Sequence, residues 1–336
     1  MSNSSIIIKN LKKNLSKTIL GQERLIDRLL IVLLADGHLL LEGAPGLAKT
    51  RAIKALGKMI EGDFHRIQFT PDLLPADVTG TETFRPQDGS FHFQKGPVFH
   101  NLLLADEINR APAKVQSALL EAMGERQVTV AGETYILPNL FLVMATQNPI
   151  EQEGTYQLPE AQLDRFLLNV IIDYPSLEDE LDIMHLVRDE ILLKNEEDSF
   201  PNQKTDKKIK LNSEIEKISE KNIFSARFEV LKTYMSTEVE RYLVEIISAT
   251  RKPENYSDEL ARLITWGVSP RASLALDRCS RARAWMNERD FVTPEDIQDL
   301  VGDVLRHRII LSYEAESDGI STEEVINKIL NTVSVS

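Results

Sequence analysis

A chain of 336 residues with 42% apolar and 27% charged side chains has the balance of a globular protein, with length for about two domains. The net charge of −13 argues against non-specific binding to nucleic acid or to an anionic membrane. One cysteine, Cys279, excludes an internal disulfide and fits a reducing cytoplasm, where a buried structural thiol is expected.

The opening MSNSSIIIKNLKK has only three consecutive apolar residues, so no secretory leader is expected. Residues 15–35 carry apolar side chains at three- and four-residue spacing and predict one amphipathic helix. A short apolar run, His38 to Leu41, predicts a buried strand that enters GAPGLAKT (Gly43 to Thr50) and then a helix, Lys49 to Ile60. Further strands are expected at 64–69, 101–105, 140–145 and 167–172, with a helix at 113–124 between them. Strands alternating with helices predict an α/β domain with a mostly parallel sheet. Residues 71–97, with four prolines and three glycines, look like an insertion. Residues 126–137 alternate about Ala131-Gly132 and predict a β-hairpin. Helices are expected over 176–193, 237–250, 257–265, 271–287, 294–305 and 321–332, and the run 194–222 is charged. These readings divide the chain into an α/β core, residues 1–175, and an all-helical lid domain, residues 176–336. The longest apolar run, Leu29 to Ala35, is too short for a membrane span, which needs about 20 residues.

The strand–GAPGLAKT–helix order predicts a loop, Gly43, Ala44, Pro45, Gly46, Leu47 and Ala48, whose backbone N–H groups, Pro45 having none, wrap a nucleotide's phosphates at a helix N-terminus. Lys49 would reach the β- and γ-oxygens, and Thr50 would offer a hydroxyl to Mg²⁺. Asp106 and Glu107 close the strand NLLLA, at the strand end where open α/β sheets bind ligands. Asp106 is the expected Mg²⁺ residue and Glu107 the expected general base. Asn148, after the strand LFLVMA, is a candidate for positioning the attacking water, against the plainer reading of an Asn-Pro turn. Arg165 in EAQLDRF and Arg271 in GVSPRAS are candidates for stabilising charge on the transferring phosphoryl group. No Cys/His spacing of a zinc site is present.

GAPGLAKT, LLLADEINRAP, ATQNPIEQEGTYQLPEAQLDRFLL and GVSPRASLAL, in this order, resemble the MoxR family of AAA+ ATPases from about Ile19 to Leu311. Alanine before the lysine, Ala48, is also what that family shows. The resemblance implies a P-loop NTPase with a five-stranded parallel sheet, a helical lid, ATP and Mg²⁺ between them, and a hexameric ring. It makes Asn148 sensor 1, Arg271 sensor 2 acting from the lid, and Arg165 the finger offered to a neighbouring subunit. The segments 71–97 and 126–137 resemble the insertions of the helix-2-insert clade, which includes magnesium chelatase subunits. Gln22 is a candidate neighbour of the adenine, against a plain Gly-Gln helix entry. Arg110 is a second candidate for a neighbour's nucleotide, against a helix-start role. Phe84, Phe91 and Phe93 either grip a polypeptide or pack the insertion onto the sheet. The expected function is Mg²⁺-dependent ATP hydrolysis in the cytoplasm coupled to remodelling of a partner protein, which the family relation suggests carries a von Willebrand factor A domain. A nucleic-acid translocase or clamp-loader-like ATPase, and a scaffold that binds nucleotide without turnover, are the rival readings.

Overall fold

The computed structural model describes residues 2–43, 49–87, 89–147, 154–199 and 217–334. Ala44, Pro45, Gly46, Leu47, Ala48 and Asn148 lie outside them, as does most of the charged run 194–222.

The described strands are β1 (Leu39–Glu42), β2 (Phe64–Gln68), β3 (Gly80–Arg85), β4 (Ser90–Lys95), β5 (Leu102–Asp106), β6 (Gln127–Val130), β7 (Glu133–Ile136), β8 (Leu142–Gln147), β9 (Leu168–Ile171), β10 (Ile264–Trp266) and β11 (Ile310–Leu311), and the last two pair antiparallel within the lid expected to be all helical. Five of them form one sheet in the order β2-β5-β8-β1-β9, and every neighbouring pair is parallel. The three inner strands β5, β8 and β1 are apolar on both faces, as a sheet covered on both sides requires, while the edge strand β2 carries His65, Arg66 and Gln68. Leu39, Leu41, Leu104, Met144 and Val170 belong to one buried cluster with helices Asn3–Thr18, Glu23–Leu34 and Lys49–Met59. Leu40, Leu103, Ala105, Val143 and Ala145 belong to a second cluster with the helix Ala113–Glu125. The first cluster continues without a break into the helices after residue 217. The chain therefore folds as the α/β sheet protein with a helical lid that the strand pattern and the resemblance implied.

The single helix expected over 15–35 is two, Asn3–Thr18 and Glu23–Leu34. Gly21 separates them at φ +68°, and a Cβ there would stand 2.7 Å from the Asp179 Cβ. Both the left-handed backbone and the close approach exclude other residues. Helix Glu220–Leu231 was not expected, because it begins inside the charged run. It follows a parallel bridge between Ile60 and Ile218. The lid helices Thr237–Arg251, Asp258–Leu263, Pro270–Met286, Pro294–Leu305 and Thr322–Thr332 lie close to their expected places.

Residues 71–97 carry the helix Pro75–Thr79 and the antiparallel pair β3/β4. The second hairpin, β6/β7, turns at Ala131 and Gly132, both at positive φ. The three phenylalanines differ in what they touch. Phe93 stacks on Tyr135 of the second hairpin, ring centroids 4.0 Å apart, and joins the hairpins. Phe84 and Phe91 pair with each other at 5.2 Å and stay exposed.

A buried carboxylate binds core to lid. Asp303 accepts from Arg24 at 2.8 Å, Arg28 at 2.6 Å and Arg306 at 2.8 Å. Arg306 in turn donates to the Asn169 carbonyl on β9 and to Glu323. One acceptor thus holds a core helix and the lid in register with the sheet edge.

His38, just before β1, is fully buried. Its Nδ1 accepts from the Val143 amide at 3.1 Å, so Nε2 carries the proton toward the Met123 carbonyl. Burial pushes its pKa down to about 4, and burial also lowers that of His307. An unfolded histidine takes up a proton near pH 6.5, so the unfolded chain binds more protons below that pH. Stability is therefore full above pH 6.5 and falls as pH drops toward 4, by about 3 kcal/mol from His38 alone. Urea unfolding at pH 7.5 and 4.5 should show this loss, and His38→Gln should reduce it. An unchanged pH slope in that variant would contradict the assignment.

Candidate active site

β1 ends at Glu42, and Gly43 follows at φ +154°, where a Cβ would come within 2.6 Å of the Ile172 carbonyl. Only glycine lets the chain leave β1 beside the residue following β9. Lys49 opens the helix Lys49–Met59, with Thr50 next to it. The Lys49 ammonium donates to the Gly43 carbonyl and, at 3.4 Å, to the Gln147 carbonyl at the tip of β8. Burial lowers its pKa, while Asp106, Glu42 and Glu107 act in the opposite direction. The ammonium and the paired acids therefore face one another across the strand tips.

Asp106 and Glu107 are fixed by one hydroxyl. Thr146 Oγ1, buried on β8, donates to Asp106 Oδ1 at 2.7 Å and accepts from the Glu107 amide at 2.8 Å. Glu107 adopts φ 56° and ψ 51°, a left-handed backbone that a non-glycine residue enters at a cost of about 1 kcal/mol. This turn separates the directions of the two carboxylates. Asp106 Oδ2 accepts from Arg66 Nη2 at 2.6 Å. Glu107 Oε2 accepts from Gln68 at 2.8 Å and from Arg110 at 3.0 Å. Arg66 also donates to Gln68 at 2.8 Å, closing a chain from Asp106 to Glu107. Arg110, considered for a neighbour's nucleotide, is engaged with Glu107 of its own chain. Gln22 donates to the Asp173 carbonyl at 3.1 Å, beside the segment that touches Gly43.

A cleft of about 970 Å³ opens beside these strand tips, with Glu42, Gln147, Asn109, Asn169, Arg306 and Glu323 in its lining. Its described lining does not include Lys49, Asp106 or Glu107. The ammonium and the two carboxylates make the candidate reactive centre, which this cleft's described lining leaves out.

The two candidate arginines stand together elsewhere. Arg165 and Arg271 line a cleft of about 270 Å³ with Asp36, Gly37 and His38, which precede β1. Lys49 and Gly43 follow β1. Four residues of strand, about 13 Å, separate the two ends. Arg165 donates to the Leu120 carbonyl, and Gly124 leaves room for its guanidinium, 3.1 Å from where a Cβ would stand. Arg271 lies 3.6 Å from Asp164. The structure thus brings Arg271 to Arg165 and not to Lys49 of the same chain.

A family profile described as the ATPase family associated with various cellular activities (AAA) matches residues 38–168, and an AAA lid domain profile matches residues 259–329. Chaperone MoxR1 of Mycobacterium tuberculosis is 44% identical over 320 residues, covering 95% of this chain and 80% of that protein. The chain belongs to the MoxR family of AAA+ ATPases. Protein YeaC of Bacillus subtilis is 42% identical over 96% of this chain and 93% of its own length. The crystal structure of a Cytophaga hutchinsonii protein superposes with a TM-score of 0.85 at 46% identity, covering 99% of this chain and 96% of that one.

In this MoxR-family chain the sequence reading missed Arg66, Gln68 and Thr146. Their signal was faint. Thr146 lies near the end of an otherwise apolar strand, Arg66 and Gln68 lie on the half-polar edge strand β2, and only the β2–β5 register, Gln68 opposite Asp106, brings Gln68 to the acids. Among the described residues no helix is long and apolar enough to cross a membrane.

Proposed function

We propose that this MoxR-family chain hydrolyses ATP and uses the cycle to remodel or activate a partner protein. The observation that carries the reading is the half-buried Lys49 ammonium, bonded to the Gln147 carbonyl at the tip of β8, on the same sheet edge as Asp106 and Glu107 at the end of neighbouring β5. Lys49 holds the phosphate oxygens. Glu107 accepts a proton from a water whose oxygen attacks the γ-phosphorus, and the bond to the leaving ADP oxygen breaks.

The donor set fits Mg²⁺, which binds through one or two carboxylates together with substrate phosphates. Thr50 and Asp106 are the residues that would hold it, and it would supply charge neutralisation on the phosphate oxygens. Asp106 Oδ2 must then part from Arg66, and Glu107 must turn from Gln68. Both partners are exposed side chains, able to move.

Arg165 and Arg271 stand too far along β1 to serve their own chain's nucleotide. They serve the ATP of a neighbouring subunit in a ring, taken as hexameric. This moves Arg271 from the same-chain role that its lid position suggested. Gln22 lies on the side of Gly43 where the adenine would rest, and Asn148 is the proposed water-positioning residue. The exposed Phe84–Phe91 pair offers a grip on a polypeptide client in the cytoplasm, one with a von Willebrand factor A domain being the first to test. The acidic charge weighs against nucleic acid as that client.

Phosphate release from ATP tests the reading. Turnover is expected with Mg²⁺ and is expected to fall to background with excess EDTA, returning when Mg²⁺ is restored. A chain that binds ATP tightly with Mg²⁺ and releases no phosphate at any protein concentration is a scaffold, and the proposal fails.

A further inference from the structure

Asp164 precedes Arg165 and is the meeting point of two hydrogen-bond donors and a third cation from the lid. Its Oδ1 accepts from Arg308 Nε at 2.8 Å, and its Oδ2 accepts from Ser269 Oγ at 2.8 Å. Arg271 Nη1 stands 3.6 Å from Oδ2. The Arg308 side chain is 3% exposed and Arg271 56% exposed, so one carboxylate serves a fixed guanidinium and a free-standing one.

Ser269 is the N-cap of the helix Pro270–Met286. Its hydroxyl accepts from the Arg271 amide at 3.1 Å while donating to Asp164. Asp164 therefore holds the first turn of the helix that carries Arg271, directly beside Arg165. Arg308 is locked further by the Phe166 carbonyl at 2.5 Å and the Val304 carbonyl, which anchor the carboxylate from behind. Burial lowers the Arg308 pKa, Asp164 opposes that, and Arg271 adds to it, so the two guanidiniums repel each other across the shared acid.

We propose that Asp164 is a positioning residue that sets Arg165 and Arg271 as one unit for the ATP of a neighbouring subunit, an inference resting on the trans assignment above. The alternative is a buried counter-ion for Arg308 with no part in turnover. The two differ in which subunit of an active pair needs the carboxylate.

Lys49→Ala chains lack their own nucleotide site but keep both arginines. Arg165→Ala/Arg271→Ala chains have a nucleotide site and offer no arginines. Mixing the two should restore ATP turnover. Asp164→Asn placed in the Lys49→Ala chain should lower the restored turnover about tenfold or more, and placed in the double-arginine variant should change it by less than about twofold. Equal losses in the two placements, or no loss in either, overturn the positioning role while leaving the trans assignment intact. A mixture that restores nothing overturns the trans assignment and this inference with it. Should Asp164→Asn chains fail to fold, Ser269→Ala in the same two placements removes the hydroxyl link while keeping the Arg308 pair. The same asymmetry is then expected, and its absence counts against the role.

Discussion

Glu107→Gln is expected to lower ATP turnover by about 10²- to 10⁴-fold, the range a general base contributes, while leaving ATP affinity nearly unchanged. The substitution keeps the shape of the side chain and an oxygen that accepts from Gln68 and Arg110, so the left-handed turn at Glu107 survives. It removes the negative charge, and with it the ability to take a proton and the ion pair with Arg110. The neighbouring acid behaves differently. Asp106→Asn weakens the proposed Mg²⁺ site and the Arg66 ion pair together, so affinity and turnover should both fall. Phosphate release and nucleotide titration on the two variants separate the roles. Turnover undiminished in Glu107→Gln would remove Glu107 from the chemistry and leave Gln68 and Arg110 as partners of a merely structural carboxylate.

In the proposed roles both acids would need a change of partner before they act. Asp106 is held by Arg66 and Glu107 by Gln68, two side chains of one strand that also touch each other. Replacing Arg66 by a cation at Asp106 also removes one tether of Gln68. On the proposed roles, a cation held by Asp106 would displace Arg66 and so loosen Gln68 from Glu107, which would link the two acids through β2.

What was legible in the sequence was local. GAPGLAKT between a strand and a helix placed Lys49, and acids closing an apolar strand placed Asp106 and Glu107, because spacing along one element fixes which end a residue occupies. Two kinds of information were not legible. The break at Gly21 depends on the Asp179 side chain, 158 positions away in the chain, filling the space of a Cβ. The Asp164–Arg308 and Ser269–Asp164 contacts join residues more than 100 positions apart, and their partners follow from how the lid seats on the sheet. The resemblance supplied a family role for Arg271 but not its place, which depends on which end of β1 the lid approaches. The two exposed phenylalanines and the stacked one were indistinguishable by residue type. Pairing of β3 with β4 set Phe84 opposite Phe91, and Phe93 meets Tyr135 only because a second hairpin lies alongside.

Arg165→Ala is expected to lower turnover by about 10³- to 10⁵-fold, the value of an arginine set against the transferring phosphoryl group, with ATP affinity of the same chain preserved. The proposed trans role predicts this separation of effects. Arg165 is held by the Leu120 carbonyl near the start of β9, and the strand length lies between it and Lys49. Lys49→Ala should by contrast abolish binding and turnover together. Wild-type turnover per chain should also fall on dilution, since a subunit without a neighbour has no arginine at its nucleotide. Arg165→Lys should recover little, because the ammonium cannot reproduce the planar fork that satisfies a carbonyl and a phosphate at once. If the Arg165→Ala chain loses ATP affinity in step with turnover, and dilution leaves wild-type turnover per chain constant, the arginine acts within its own chain and the lid must close farther over β1 than this structure shows.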